Sequence, residues 1–256
     1  MHTLYANGGG VCKQTAQRAV DGPDRTCLPS RPMSDAVVQL DRTLPSGWTV
    51  GMLLVPLGEG RLLVYSPTWL GERTWERVEA HGTPTILVAP NHYHHLSLRR
   101  YRERYPEAAV VASEQAIPRL VKQGHVGIEP VASVAARLPE GFHFLIPEGL
   151  KTGEVFLSLP GAGGRTWAVC DAFFNVPGPF KGLGSLPFRL LRTGPGLAVG
   201  TTFWWLGLQH TETYLGWLAK TLEAERPTQV LFSHGRPLQG EDLPERLTAL
   251  ARKRLR

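Results

Sequence analysis

No apolar run in this 256-residue chain approaches the ~20 residues that a membrane-crossing helix needs, so a spanning segment is excluded and no membrane partner is expected. The first 32 residues lack the continuous apolar core of a secretory signal and are not an acid-free, Arg/Ser-rich stretch, so no targeting segment is read there. Cysteine is scarce. Cys12, Cys27 and Cys170, without any Cys-x-x-Cys spacing, speak against a disulfide framework and make a reducing cytoplasm the expected setting. No unit recurs at a period of roughly 20 to 50 residues, which speaks against solenoids and propellers.

What is present is enough for a full core, since 42% of the residues are hydrophobic and 20% charged. The formal net charge is +6, but Arg246, Arg252, Lys253, Arg254 and Arg256 gather at one end, where cations suit a helix C-terminus. A solvated helix end therefore explains them better than a nucleic-acid groove, and nucleic acid is not the expected partner. Residues 1–32, with Gly8-Gly9-Gly10 and scattered charges, have neither helical nor strand period. They are expected to be a disordered leader or a mis-assigned start, with Met33 as the alternative beginning and 33–256 as one domain. Nothing in the sequence sets an oligomeric state.

Beyond the leader, Val37 to Leu40 alternates, and apolar runs at Val50–Leu57 and Leu62–Tyr65 flank Gly58-Glu59-Gly60 as a hairpin. Helical spacing runs from Trp69 to His81, from Leu96 to Tyr105 and from Ser113 through Val121. Strands are predicted at Ile86–Ala89, Ala108–Ala112, Phe142–Ile146, Glu154–Leu159, Thr166–Asp171 and Gln229–Phe232, and helices at Thr211–Ala224 and Leu243–Leu255. Residues 173–200, rich in Gly, Pro and Phe without a clear period, read as a long ordered insertion or cap. Strand blocks interspersed with helices in each half predict a layered α/β domain.

Three of these strands end on groups that bind metals. Pro90-Asn91 stops the Ile86 strand just before His92, His94 and His95; Asp171 follows the Thr166 strand; His234 follows the Gln229 strand. Neutral imidazole is the commonest side-chain metal ligand, and clustered His with distant Asp is a metal-site signature. The bland alternatives are a helix N-cap for Asp171 and a strand-end polar role for His234. Asn91 is read as a turn residue, Tyr93 as packing, and Phe203, Trp204 and Trp205 as a core patch rather than a pocket wall. His81, His125, His143 and His210 have no partner motif.

In order and setting, these residues resemble the metallo-β-lactamase superfamily over approximately Val37 to Arg256, within a degenerate branch with Pro-Asn-x-x-His-His first and a plain Ser/Ala-His-Gly last. The resemblance implies a four-layer αββα sandwich and a metal-dependent hydrolase. Matched to the motif His-x-His-x-Asp-His, Pro90 replaces the first His, His92 is the second, His94 replaces the Asp and His95 is the last. Gly149-Leu150-Lys151-Thr152-Gly153-Glu154 resembles the Gly-His-Thr-Pro-Gly turn with Leu150 in place of its His. Asp171 matches the bridging Asp and His234 the final His.

The first ion of the family pair thus keeps only His92 and Asp171. The second has His94, His95, Asp171 and His234. The resemblance therefore implies one ion, Zn with Fe or Mn as alternatives, or none. His94 and Asp171 are the expected catalytic groups, and Lys151 offers an ammonium where the first cation is lost. The implied substrate is a small ester, lactone, thioester or amide. The alternative is a catalytically inactive protein of the same fold that binds a small molecule or a partner.

Overall fold

The structure, a computed structural model, describes residues 36–180 and 182–255. The predicted leader, the start at Met33, and Cys12 and Cys27 lie outside the described residues.

The first half forms a sheet of β1 (Val38–Thr43), β2 (Thr49–Pro56), β3 (Arg61–Tyr65), β4 (Thr83–Val88), β5 (Ala109–Ala112) and β6 (Ile128–Pro130), in that spatial order. The first three strands pair antiparallel and the rest parallel. Helices α1 (Thr74–Glu79), α2 (Leu98–Arg104) and α3 (Ile117–Lys122) connect the parallel strands. The helix predicted over Trp69–His81 begins only at Thr74, because Gly71 takes a left-handed φ of 119° and Thr74 Oγ1 ties off the turn by accepting from Leu70 N. The helix predicted from Ser113 begins at Ile117, which places Pro118 in the first turn, where its missing N–H leaves no bond unmade.

The second half supplies β7 (His143–Leu145), β8 (Phe156–Gly161) and β9 (Gly164–Val169). The stretch predicted as a cap holds a two-stranded ribbon, β10 (Phe174–Val176) with β11 (Gly196–Ala198), that brackets the five-residue helix α4 (Leu186–Leu190). Then come α5 (Thr211–Glu225), β12 (Pro227–Phe232), β13 (Leu238–Gln239) and α6 (Leu243–Leu255), giving a second sheet of order β13-β12-β9-β8-β7.

The strand sequences explain the layering. Along β2 and β3, Met52, Leu54, Leu62 and Val64 face one way, into a cluster with Val78 of α1, Tyr101 of α2 and Leu120 of α3. Their neighbours Leu53, Val55, Leu63 and Tyr65 face the other way and meet Val155, Leu157, Ala168 and Leu231 of the second half. On that sheet's far face Phe156, Trp167, Val230 and Phe232 pack on Leu215, Leu218 and Leu222 of α5 and Leu247 and Ala251 of α6. Strands apolar on both faces can be satisfied only between two covering layers, so the chain is helix–sheet–sheet–helix. A one-residue slip would exchange both faces, which fixes the register and with it the strand ends that carry the site.

Candidate metal centre

The site is assembled from the loops that leave β3, β4, β9 and β12. Asn91 organises the first of these loops: its Oδ1 accepts from the backbone N–H groups of Tyr93 (2.8 Å) and His94 (3.2 Å), and its Nδ2 donates to Asp171 Oδ2 at 2.8 Å. The predicted turn role is thus real, and the same side chain also ties two site loops together. The tight turn sends successive histidines in different directions.

His94 turns inward. Its Nε2 lies 3.3 Å from Asp171 Oδ1 and 3.1 Å from His234 Nε2, and the His234 Nε2 to Asp171 Oδ1 distance is 3.4 Å. With the Cys170 Sγ, these ligand atoms all lie within 4.8 Å of one another. Each ring is held from behind. His234 Nδ1 donates to the Thr49 carbonyl at 2.9 Å, since a carbonyl only accepts, and this leaves Nε2 as the ring atom that faces the centre. His94 Nδ1 lies 2.9 Å from Ser66 Oγ, on a residue at the end of β3 whose φ of 58° is left-handed. Strained backbone of this kind persists where surrounding structure holds it.

His92 and His95 lie outside the converging group of His94, Cys170, Asp171 and His234. His95 Nδ1 lies 2.9 Å from Nε2 of His125, a residue the sequence gave no partner, and neither belongs to the converging set. His92 is buried with its backbone N–H on the Thr152 carbonyl and its ring against Tyr93, and it too stands outside the set. Burial lowers the pKa of all three rings. Lys151 does not face the centre: its exposed ammonium donates to the Trp205 carbonyl at 2.5 Å. Leu150 is packed in the core between the second sheet and α5.

Two buried groups were not anticipated. Cys170 is fully buried, and burial together with the charges of Asp171 and Glu154 pushes its thiol up. Glu154 is also fully buried, and its Oε1 accepts from the N–H groups of Cys170 (3.0 Å), Asp171 (3.0 Å) and Ala172 (3.2 Å), clamping the loop that presents Asp171. This use of the 170–172 backbone replaces the N-cap alternative for Asp171. Burial, then the Asp171 charge, pushes Glu154 up to about 8 against the pull of the three amides. For Asp171 burial alone would act upward, but facing His94 and the hydrogen bonds with His234 and His94 hold it well below the usual carboxylate range. The sequence signals were slight: a lone Glu at the head of an apolar run and a Cys beside the Asp.

The His234 loop is locked by contact with β10. Gly235 has φ of 123°, and a Cβ there would stand 2.0 Å from the Asn175 carbonyl oxygen. That close approach lets Asn175 N donate to the His234 carbonyl at 3.0 Å and Arg236 N to the Asn175 carbonyl at 2.9 Å.

The centre opens into a cavity of about 290 Å³ whose walls include Trp48, Tyr93, Phe174, Leu191, Phe203 and Leu206. A second cavity of about 240 Å³, bounded by Val50, Pro67, Thr68 and Leu96, shares Tyr93, His94 and His234 with the first. Tyr93 is 41% exposed between them and packs its ring against His92. Phe203 is buried as expected of a core residue, whereas Trp204 and Trp205 are 47% and 61% exposed.

No family model and no curated protein matches the sequence. Among solved structures the chain is similar to the metallo-β-lactamase DIM-1, with 11% identity and a TM-score of 0.59 over 86% of this chain and 94% of that one. It is also similar to VMB-1, with 13% identity and a TM-score of 0.55 over 87% of this chain and 95% of that one. At such identities the likeness concerns the fold, which is that of the metallo-β-lactamases.

Proposed function

We propose that this chain, built on the metallo-β-lactamase fold, is a metal-dependent hydrolase with one ion held by His94, Asp171 and His234, next to Cys170. The observation that supports this is the triangle of 3.1, 3.3 and 3.4 Å between two imidazole nitrogens and a carboxylate oxygen. Ligand bonds of ~2.0–2.1 Å at tetrahedral angles have edges of roughly 3.3–3.4 Å. The donor set thus fits a Zn²⁺-sized ion, and Fe or Mn suits the same imidazole–carboxylate chemistry. The back-side bonds to Ser66 and Thr49 are the outer partners that such ligands need. A second ion has no such support, since Pro90 and Leu150 supply no donor side chain and Lys151 is spent on the Trp205 carbonyl.

When bound, such an ion polarises an acyl carbonyl and lowers the pKa of water to about 7. The residues of the chain do the rest. Asp171, ionised and fixed by Asn91, would help hold the ion and orient the attacking water. The apolar walls of the larger cavity hold the acyl part of an ester, lactone, thioester or amide, while Tyr93 and Leu96 border the room for the leaving group. The reading includes a cytoplasmic setting, where the buried Cys170 thiol stays reduced.

Metal analysis of the purified chain tests this, repeated on Asp171→Ala and His234→Ala. One ion per wild-type chain, lost in both variants, together with hydrolysis of an apolar acyl ester, supports the proposal; a wild-type chain that takes up no ion defeats it. The second reading, a binding protein without catalysis, is favoured by Leu150, buried in the core where a ligand would stand. It predicts a ligand in the 290 Å³ cavity and no turnover with the ion bound.

A further inference from the structure

Between Asp171 and Glu212 the chain has no acidic residue, while it carries Lys181, Arg189 and Arg192. The same stretch is unusually apolar at its surface. Leu183 is 91% exposed, Leu190 70%, Trp205 61%, and Leu186, Trp204 and Leu206 are each close to half exposed. These are six of the eleven large hydrophobic side chains that stand exposed among the described residues, and they fall within 24 consecutive positions. Scattered single hydrophobes need no explanation, but a concentration of this kind marks a surface that meets something.

The two parts of the stretch border one opening. Leu191 and Thr193, just after α4, and Thr202, Phe203 and Leu206, from the segment Phe203–Gly207, line the larger cavity together. Thr201 N donates to the Leu191 carbonyl at 2.9 Å, and Arg254 of α6 reaches the Val199 carbonyl at 3.2 Å, so the rim is fastened to the fold. Exposed cations stand among the apolar groups: Arg189 and Arg192 in the stretch, and Lys151 against the Trp205 carbonyl.

We infer that the 183–206 rim docks on an anionic lipid bilayer and sets the mouth of the cavity against it. Tryptophan and leucine protruding beside Arg and Lys, with no acid in the stretch, is the composition that suits a membrane interface: the indoles and aliphatic chains enter the headgroup boundary and the cations pair with lipid phosphates and carboxylates. An acidic protein partner could also answer the cations, but it would have to cover six protruding apolar side chains at the same time, which the headgroup boundary of an anionic bilayer does without a matching surface. The inference departs from the expectation of no membrane partner, which rested on the lack of a spanning segment; docking on a surface needs none. It is also independent of the metal centre, because binding is read without turnover.

The test uses the full chain with phosphatidylcholine vesicles containing about a quarter phosphatidylserine, and with pure phosphatidylcholine, in a sedimentation assay. The wild type is expected to pellet with the anionic vesicles and to be released by high salt. Arg189→Glu with Arg192→Glu should weaken partition roughly thirty-fold or more, at about fivefold per removed cation. Trp204→Ser with Trp205→Ser should weaken it on both vesicle types, with an unchanged melting temperature showing that the fold is intact. Wild-type chain that stays in the supernatant overturns the inference, as does binding that neither pair of substitutions changes. So does light scattering that shows a wild-type dimer which Trp204→Ser with Trp205→Ser dissociates, since the rim would then be an interface between copies.

Discussion

Replacing Glu154 by glutamine should flatten the pH dependence of stability in the metal-free protein. The carboxyl is fully buried, one oxygen carries three backbone N–H bonds, and the other oxygen is buried without a partner among the described residues. Burial and the neighbouring Asp171 charge place its folded pKa at about 8, against 4.5 when unfolded. Below 4.5 both states hold the proton and the contribution to stability is complete. Between 4.5 and about 8 the native state keeps a proton that the unfolded chain has released, so stability falls as pH rises. The limiting slope is about 1.4 kcal/mol per pH unit, so a few kcal/mol are lost across the window. Glutamine keeps a carbonyl oxygen for the three amides but has no proton to lose. His92, His95 and His125, whose pKa values are lowered, act with the opposite sign but equally in both proteins, so the difference between the two isolates Glu154. The assay is urea unfolding in chelator from about pH 5 to about pH 8, comparing midpoints at constant m. Glutamine should gain on the wild type steadily as pH rises; parallel curves would refute the assignment of a raised pKa to this carboxyl.

His95→Ala should leave the metal content of the purified chain unchanged while His94→Ala abolishes it, because His95 faces His125 rather than Asp171; equal loss in both would restore His95 as a ligand. Gly235→Ala forces a Cβ to within 2.0 Å of the Asn175 carbonyl oxygen at φ of 123°, and is expected to destabilise by more than about 2 kcal/mol in chemical unfolding. A wild-type midpoint would mean that this contact is slack. Tyr214→Phe removes a buried hydroxyl that has no partner among the described residues, so stability should stay within about 1 kcal/mol or rise; a loss of about 2 kcal/mol or more in the melting curve would show that the hydroxyl is bonded.

The sequence by itself determined the layers and the strand ends. The hairpin at Val50–Tyr65, the strand before Asn91 and the helix Leu243–Leu255 are legible because alternating or 3.6-period apolar residues leave one way to bury their faces. It also put His94, Asp171 and His234 at the ends of three strands, and these three do meet. What it could not fix is direction within a turn. Three histidines in four positions look equivalent along the chain, but the Asn91 turn sends His94 to Asp171 and His95 to His125. The partners that decide this are distant: Ser66 is 28 residues from His94 and Thr49 is 185 residues from His234. Glu154 and Cys170 stayed hidden for the same reason, since a buried polar residue beside a strand declares its purpose only through the backbone it meets. Local periodicity encodes which face is buried, whereas which polar atoms share a buried space depends on how two sheets stack, and tertiary packing alone decides that.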